Sequence, residues 1–151
     1  MKIQKFNENE DRHLKALETL AEDWSLDFWT QEEVLKSLRQ GEHTHFYLLD
    51  VGGSFVGAIL FSIVVGESEL LYLYVSPSSR GQGASREMMR HYLSFAEVKG
   101  VSEFFLEVRE SNGSARNLYE SLGYEIFDQR KSYYKNGDTA LMMKRESSEL
   151  P

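Results

Sequence analysis

The sequence predicts an α/β fold of the α+β type, with a mixed, mostly antiparallel sheet of six to seven strands and about four flanking helices. Three observations predict it. Apolar and polar residues alternate in several short segments, as in half-buried strands. Apolar residues recur at helical spacing in four other segments. From residue 69 to residue 108 a strand, a helix and a second strand follow one another, which implies a parallel pair with a right-handed crossover.

The first 40 residues predict one strand and two helices. The strand covers Met1 to Glu8, where Ile3 and Phe6 alternate with polar residues. A second helix begins at Thr30, whose capping box with Glu33 satisfies backbone amides at the helix start. The first helix extends to about residue 22 on the apolar stripe Leu14, Leu17, Leu20 and Ala21.

Four large apolar residues lie in the connection between these two helices. They are Trp24, Leu26, Phe28 and Trp29. Such residues either seal the edge of a core or form a wall facing a substrate, because loops often carry binding sites. Both interpretations stay open at this point.

The rest of the chain alternates strands with helices. The expected order is strands at 45–50 and 54–65 joined by a hairpin turn, a strand at 69–75, a helix at 85–99, a strand at 101–108, a helix at 112–122, and strands at 124–134 and 138–145. The methionine and aromatic stripe of the helix at 85–99 is typical of a core. We expect a single domain over residues 1–145 and a disordered tail at 146–151.

The composition excludes several classes of function. The chain has 151 residues, a net charge of −7 and no cysteine. An acidic surface disfavours nucleic acid and anionic membranes, and favours a cationic or amine-bearing partner or simply solubility. Without cysteine there are no disulfides, no thiolate metal sites and no cysteine nucleophile. The four scattered histidines do not form a metal site, so no metal is expected.

The chain also carries no sign of a membrane or export segment. No apolar run approaches the roughly 18 residues of a membrane span, and the N-terminal residues lack the apolar centre of a signal peptide. We therefore expect a cytoplasmic protein that is a monomer or a homodimer.

The most informative segment is the turn at residues 76–85, where an apolar strand leads through small residues into a helix. Arg80 adds a cation with fork geometry. Unpaired amides at a helix start attract anions, and the small residues Gly81, Gly83, Ala84 and Ser85 would let a diphosphate approach the main chain. From the residues alone, phosphate binding and a plain strand-to-helix connection are about equally good interpretations.

Glu107 is the candidate base. The period of two in the strand places Phe105, Glu107 and Arg109 on one face, so Glu107 is expected among apolar groups. Burial there would make Glu107 a stronger base near neutral pH, whereas an ion pair with Arg109 or Arg80 would leave it structural. The residues alone slightly favour the structural pair.

Tyr119 is the candidate acid. In the predicted helix Ala115, Leu118 and Leu122 form an apolar stripe, and Tyr119 lies one turn beyond Ala115, where it could point toward the predicted phosphate turn. A tyrosine hydroxyl can donate a proton to a departing anion. A core aromatic residue with a bonded hydroxyl is the alternative, and the residues alone favour it.

Two motifs in the right order resemble those of the GNAT superfamily of N-acetyltransferases. The run Val75-Ser76-Pro77-Ser78-Ser79-Arg80-Gly81-Gln82-Gly83-Ala84-Ser85 resembles their acyl-CoA signature, and residues 112–124 resemble their next motif. The runs at 106–112, 130–134 and 138–143 are most similar to bacterial ribosomal-protein alanine N-acetyltransferases.

The resemblance implies a fold, a cofactor and residue roles. It implies a parallel strand pair that is splayed at the acetyl-CoA site. Glu107 would act as base and Tyr119 would protonate the thiolate of coenzyme A. The cofactor would contact Tyr74 and Val75 through the main chain, Asn112, and the diphosphate-binding residues Arg80, Gly81, Gln82, Gly83, Ala84 and Ser85. Ser85 departs from the Gly or Ala preferred by the family, which puts the affinity for the cofactor in question.

The predicted reaction is direct attack of a primary amine on acetyl-CoA, with a main-chain N–H near Val75 polarising the thioester carbonyl. An N-terminal α-amine suits a modest base, because its deprotonation at neutral pH costs about 3 kcal/mol less than that of lysine. The alternatives are acetylation of a small amine, such as a polyamine, an amino acid or an antibiotic, and a non-catalytic acyl-CoA-binding module.

Overall fold

The computed structural model describes residues 1–24, 29–41 and 43–147. A 3₁₀ turn, Pro77–Ser79, precedes the third helix. No helix in these ranges has both the length and the apolar character that crossing a membrane requires. The elements are β1 (Lys2–Lys5), α1 (Asp11–Asp23), α2 (Gln31–Gln40), β2 (Thr44–Val51), β3 (Ser54–Val64), β4 (Glu67–Val75), α3 (Ala84–Val98), β5 (Glu103–Arg109), α4 (Gly113–Ser121), β6 (Glu125–Arg130) and β7 (Ala140–Glu146).

The strands are hydrogen-bonded in the order β1-β2-β3-β4-β5-β7-β6. The pairs β1/β2, β2/β3, β5/β7 and β6/β7 are antiparallel. β4 and β5 are parallel, with Glu67 opposite Glu103 and Glu69 opposite Phe105. The prediction of a mixed, mostly antiparallel sheet with one parallel pair is confirmed, and the splay of that pair stays a prediction.

Two compact units divide the chain. Unit 1 comprises Met1–Ser62 and Leu71–Phe95, and unit 2 comprises Ile63–Leu70 and Ala96–Pro151. β4 is shared, because its residues 67–70 belong to unit 2 and the remainder to unit 1. The single domain expected over residues 1–145 stays a prediction.

The core of unit 1 collects the apolar stripes of α1 and α2. The helix α2 begins as predicted: the Thr30 hydroxyl oxygen accepts a 3.2 Å hydrogen bond from the Glu33 amide, and the Thr30 amide donates one of 3.0 Å to the Glu33 carboxylate. Trp24 lies in this core and Trp29 packs against it, whereas the predicted apolar positions 26 and 28 lie outside the described residues. The buried members are Phe6, Ala16, Leu17, Leu20, Trp24, Val34, Phe46, Leu48, Ala58, Leu60 and Tyr74.

Unit 1 also contains a close approach between β3, β4 and α3 at Gly57. A Cβ atom at this position would lie 2.9 Å from Cε of Met88 and 3.0 Å from the carbonyl oxygen of Tyr74. Nearby, the rings of Phe61 and Tyr92 pack with centroids 4.3 Å apart. The methionine and aromatic stripe of α3 is therefore a core stripe, as predicted, and it holds α3 against the strands that precede it.

Unit 2 has one buried and one open side of β5. Phe104, Leu106 and Val108 are buried, whereas Glu107 is exposed. Arg145 of β7 helps to cover the buried side, since its guanidinium carbon lies 5.2 Å from the Phe104 ring centroid and its Nε donates a 2.8 Å hydrogen bond to the carbonyl of residue 122. The open side carries the polar groups of interest.

β6 is one of the two edge strands of the sheet and is shorter than predicted. It ends at Arg130 instead of Tyr134, because Ser132 adopts a left-handed φ of 51° that does not continue a strand. All six of its residues are exposed, and its pairing with β7 is irregular between Ile126 and Asp128. The residues between β6 and β7 are thereby released into a loop, called here the 131–139 loop.

The end of the chain also differs from the prediction. Glu146 was expected in the tail, but it pairs with Glu103 and is the last residue of β7. The Ser147 amide then donates a 2.8 Å hydrogen bond to the carbonyl of Ser102. This pairing extends the strand by one residue, and residues 148–151 of the predicted tail lie outside the described residues.

Candidate functional site

The predicted phosphate turn lies in unit 1 between β4 and α3. Gly81 and Gly83 have φ angles of 79° and 81°, a left-handed conformation that glycine adopts without steric cost. A Cβ atom at either position would find no atom within 4 Å among the described residues. The main chain of the turn is therefore bare and faces open space.

The turn leads directly into the first turn of α3. The helix begins at Ala84, one residue before the predicted start, and the Glu87 amide donates a 3.0 Å hydrogen bond to the carbonyl of Gly83. Gln82 is exposed, Ala84 is buried and Ser85 is half-buried. Helix-start amides lack intrahelical partners and carry partial positive charge, so this end of α3 favours an anion.

Arg80 lies against the end of β4. Its Nε donates a 2.8 Å hydrogen bond to the carbonyl of Val75, and its guanidinium carbon lies 5.8 Å from the Tyr74 ring centroid. Burial raises the pKa of the Tyr74 hydroxyl, and the charge of Asp23 adds to this rise while Arg80 opposes it. Arg80 thus supplies a cation just before the glycine turn, and the contacts expected from Tyr74 and Val75 to a cofactor stay predictions.

Glu107 lies on the open side of β5 in unit 2. Its Oε2 accepts a 2.9 Å hydrogen bond from the Tyr134 hydroxyl in the 131–139 loop. The apolar surroundings expected from the sequence are wrong, because the side chain is exposed and bonded to a polar group. The strand period gave the correct face but not the groups that reach that face from another part of the chain.

Arg109 holds the 131–139 loop. Its guanidinium carbon stacks 3.7 Å from the Tyr134 ring centroid, and its Nη1 donates a 3.2 Å hydrogen bond to Oδ1 of Asn136. Nη1 also lies 3.9 Å from the carboxylate of Asp138, which accepts a hydrogen bond from the Ser111 hydroxyl. The sequence left an ion pair between Arg109 and Glu107 open, and these contacts direct Arg109 to the loop that carries Tyr134.

Glu69 of β4 shares the open side with Glu107. Glu69 lies opposite Phe105, and Glu107 follows two residues later on β5, so the strand period places both carboxylates on one face. Partial burial raises the pKa of the Glu69 carboxyl, and the charge of Glu107 raises it further. Unit 2 therefore carries two interacting carboxylates on the open side of its strands.

Tyr119 is turned into unit 2. It is 8% exposed, and its ring meets the edge of the Tyr124 ring with centroids 5.8 Å apart. Burial raises the pKa of Tyr119 to about 12, so the hydroxyl keeps its proton far above neutral pH. The apolar stripe predicted for this helix, Ala115, Leu118 and Leu122, is only half-buried, whereas Tyr119 beside it is buried. In this respect the predicted stripe is wrong.

Asn112 caps α4. Its Oδ1 accepts a 3.2 Å hydrogen bond from the Ala115 amide and one of 3.4 Å from the Ser114 hydroxyl. Capping fixes the side chain at the start of α4. A contact between Asn112 and a cofactor would therefore fall to its Nδ2, and it stays a prediction.

The sequence analysis did not identify Tyr134 and Glu69. Tyr134 is 27 residues from its partner Glu107, and the loop that brings it there was assigned to a strand. The available signals were the tyrosine pair Tyr133-Tyr134 and the acidic residue Glu69 directly before the apolar part of β4. Each unit thus gathers its own set, with Tyr74, Val75 and residues 80–85 in unit 1 and Glu69, Glu107, Asn112, Tyr119 and Tyr134 in unit 2.

Comparison with known proteins gives one family. The model of the acetyltransferase (GNAT) family matches residues 14–124. The ribosomal protein bS18-alanine N-acetyltransferase of Escherichia coli strain K12 is 34% identical over 99 residues, which are 66% of this chain and 67% of that protein.

Solved structures agree with this assignment. The ribosomal-protein-S18-alanine N-acetyltransferase from Escherichia coli has a TM-score of 0.85 at 27% identity, with 99% of this chain and 96% of that chain covered. A chain of the NatC complex bound to Gag peptide and CoA has a TM-score of 0.82 at 19% identity, with 98% and 100% covered, and shows the fold alone. The chain belongs to the acetyltransferase (GNAT) family and is an N-acetyltransferase.

Proposed function

We propose that the protein acetylates the N-terminal α-amine of a protein with acetyl-CoA, by direct attack of the amine. The observation that carries this proposal is the open glycine turn that leads into α3. The relative from Escherichia coli, which is named a ribosomal protein bS18-alanine N-acetyltransferase, supports this class of acceptor. Such an acceptor would place the protein in the cytoplasm.

The residues of the turn fit a diphosphate. The bare main chain at Gly81 and Gly83 admits a bulky anion, the start of α3 offers unpaired amides, and Arg80 adds positive charge. Gln82, Ala84 and Ser85 complete the segment. Acetyl-CoA, when bound, supplies an acyl group activated as a thioester. The half-buried hydroxyl of Ser85 either donates to a phosphate oxygen or turns away from it.

Residues of unit 2 would handle the protons. Oε1 of Glu107, the oxygen opposite the one bonded to Tyr134, is the proposed acceptor of the proton from the substrate ammonium group. Tyr119 is the proposed donor, because its pKa of about 12 keeps a proton on the hydroxyl at neutral pH. Glu107 would thus take up the proton that the ammonium group loses, and Tyr119 would supply the proton that the leaving thiolate needs.

The residue types present support direct attack. The chain has no cysteine, the residue best suited to carry an acetyl group at neutral pH. The two carboxylates on the open side of unit 2 would attract the cationic acceptor, in keeping with the net charge of −7. An α-amine is also easier to deprotonate than lysine by about 3 kcal/mol at neutral pH.

Thiol release from acetyl-CoA across a panel of acceptors tests the proposal. The panel holds a peptide with the N-terminal alanine sequence of bS18, the same peptide with a blocked N-terminus and an internal lysine, and small amines. We expect transfer to the free N-terminus only. The rate of transfer should fall strongly in Glu107→Gln and should not change in the control Glu67→Gln, which alters another glutamate of the strand that carries Glu69. Transfer to small amines alone would show that the acceptor is a small amine and not a protein N-terminus. Absence of thiol release with every amine would refute the proposed function.

A further inference from the structure

We propose that Tyr134 is a positioning residue for acetyl transfer: its hydroxyl holds Oε2 of Glu107 and leaves Oε1 directed to the acceptor amine. This inference rests on the proposed role of Glu107 as the base. The 2.9 Å hydrogen bond fixes one oxygen of a side chain that is otherwise exposed on the open side of β5. An exposed glutamate without such a bond samples several rotamers, and a base that samples rotamers is misplaced most of the time.

Tyr134 is itself held in place from two directions. The Arg109 guanidinium group stacks on its ring at 3.7 Å and is tied to Asn136. In the main chain, the Tyr134 amide donates a 3.2 Å hydrogen bond to the carbonyl of Asp138, and its carbonyl accepts one of 2.9 Å from the Gly137 amide. The ring therefore has a fixed position, and its hydroxyl is a fixed donor.

The charges near the site also act on this hydrogen bond. A hydrogen bond to a charged carboxylate is shorter and roughly twice as strong as one between neutral groups. The same interaction, seen from the phenol, adds to the effect of burial and raises the pKa of Tyr134 well above its usual value. The charged groups on the same face as Glu107 include Glu69 of β4, Arg109 of β5 and Lys144 of β7, whose Nζ lies 5.9 Å from the Phe105 ring centroid. The residue directly opposite Glu107 on β7 is the uncharged Met142.

The substitution Tyr134→Phe isolates the hydroxyl. The phenylalanine ring can keep the stacking with Arg109, and the main-chain hydrogen bonds of the loop do not involve the side chain. The adjacent Tyr133 is the matched control, because it is half exposed and its ring centroid lies 5.3 Å from that of Tyr134. Tyr133→Phe removes the same atom from the same loop.

Kinetics with the preferred amine supply the first test. We expect Tyr134→Phe to lower kcat about tenfold, as for the loss of a hydrogen bond to a charged group. The KM for acetyl-CoA and the melting temperature stay at wild-type values, and Tyr133→Phe behaves as wild type. An unchanged kcat in Tyr134→Phe, or an equal fall of kcat in Tyr133→Phe, overturns the proposal.

Tyrosine-selective NMR supplies a second test that needs no activity. In the Glu107→Gln variant the pKa of Tyr134 should fall, because the hydrogen bond and the charge that raise it are altered or removed. An unchanged Tyr134 titration overturns the proposal. If the wild type acetylates no amine, the proposed function fails, while this titration still shows whether Tyr134 and Glu107 are coupled.

Discussion

Tyr119→Phe should change both the alkaline stability and the turnover of the protein. Burial raises the pKa of Tyr119 from 10.0 in a model compound to about 12. The unfolded chain therefore ionises at this tyrosine before the native state does. Its contribution is fully present below pH 10 and is lost as the pH rises to about 12. Two units correspond to roughly 3 kcal/mol of stability for this residue, which is 8% exposed.

Urea unfolding at a series of alkaline pH values measures this contribution. The free energy of unfolding of the wild type should fall more steeply above pH 10 than that of Tyr119→Phe. Tyr124→Phe is the control, because it removes a hydroxyl from the buried ring that packs against Tyr119. Equal slopes for the wild type and Tyr119→Phe would refute the assignment of the raised pKa to burial at this site.

The same variant tests the proposed acid. Loss of a general acid lowers kcat by about 10² or more, while binding of acetyl-CoA measured by calorimetry should stay near normal. Because Tyr119 keeps its proton up to about pH 12, the wild type should show no alkaline loss of activity from this residue near pH 10. Unchanged turnover in Tyr119→Phe would remove the tyrosine from the mechanism.

Three further outcomes are expected. Gly83→Ala should lower the free energy of unfolding by about 1–2 kcal/mol, because alanine is strained at the left-handed φ of this position. The same variant should weaken acetyl-CoA binding in calorimetry, because the added methyl group would occupy the open space proposed for the diphosphate. Gly57→Ala should lower the free energy of unfolding in urea by about 1–3 kcal/mol, because its Cβ would lie 2.9 Å from Cε of Met88 and 3.0 Å from the Tyr74 carbonyl oxygen. A smaller loss would mean that Met88 and the main chain at Tyr74 move aside at little cost. Glu107→Gln should lower the pKa of Glu69 in carboxyl NMR, because it removes a neighbouring negative charge, and an unchanged titration would show that the two carboxylates are not coupled.

Most of the fold could be predicted because its signals are local. The capping box at Thr30, the glycines of the turn before α3 and the core stripe of α3 depend on residues within a few positions of one another. The boundaries that failed depend on other signals. β6 stops where Ser132 takes a left-handed conformation, and Glu146 joins β7 because Glu103 stands opposite it.

The candidate site was predicted less completely because its contacts are not local. The strand period placed Glu107 with Phe105 and Arg109 on one face of β5, but it could not show that Tyr134 reaches Glu107 from 27 residues away. Glu69 becomes its neighbour only through the parallel pairing of β4 and β5. The helical stripe of α4 misjudged Tyr119, because packing against Tyr124 decides which side of so short a helix is buried.

The irregular pairing of β6 has a consequence for self-association. An edge strand can pair with a strand of another polypeptide, because its outward-facing amides and carbonyls have no partner within the sheet. In β6 the register shifts between Ile126 and Asp128, so the main-chain amides and carbonyls on either side of the shift are not regularly spaced. A second strand could therefore form regular hydrogen bonds with only a short stretch of β6. Extension of the sheet by a second copy of the chain along this edge is therefore disfavoured.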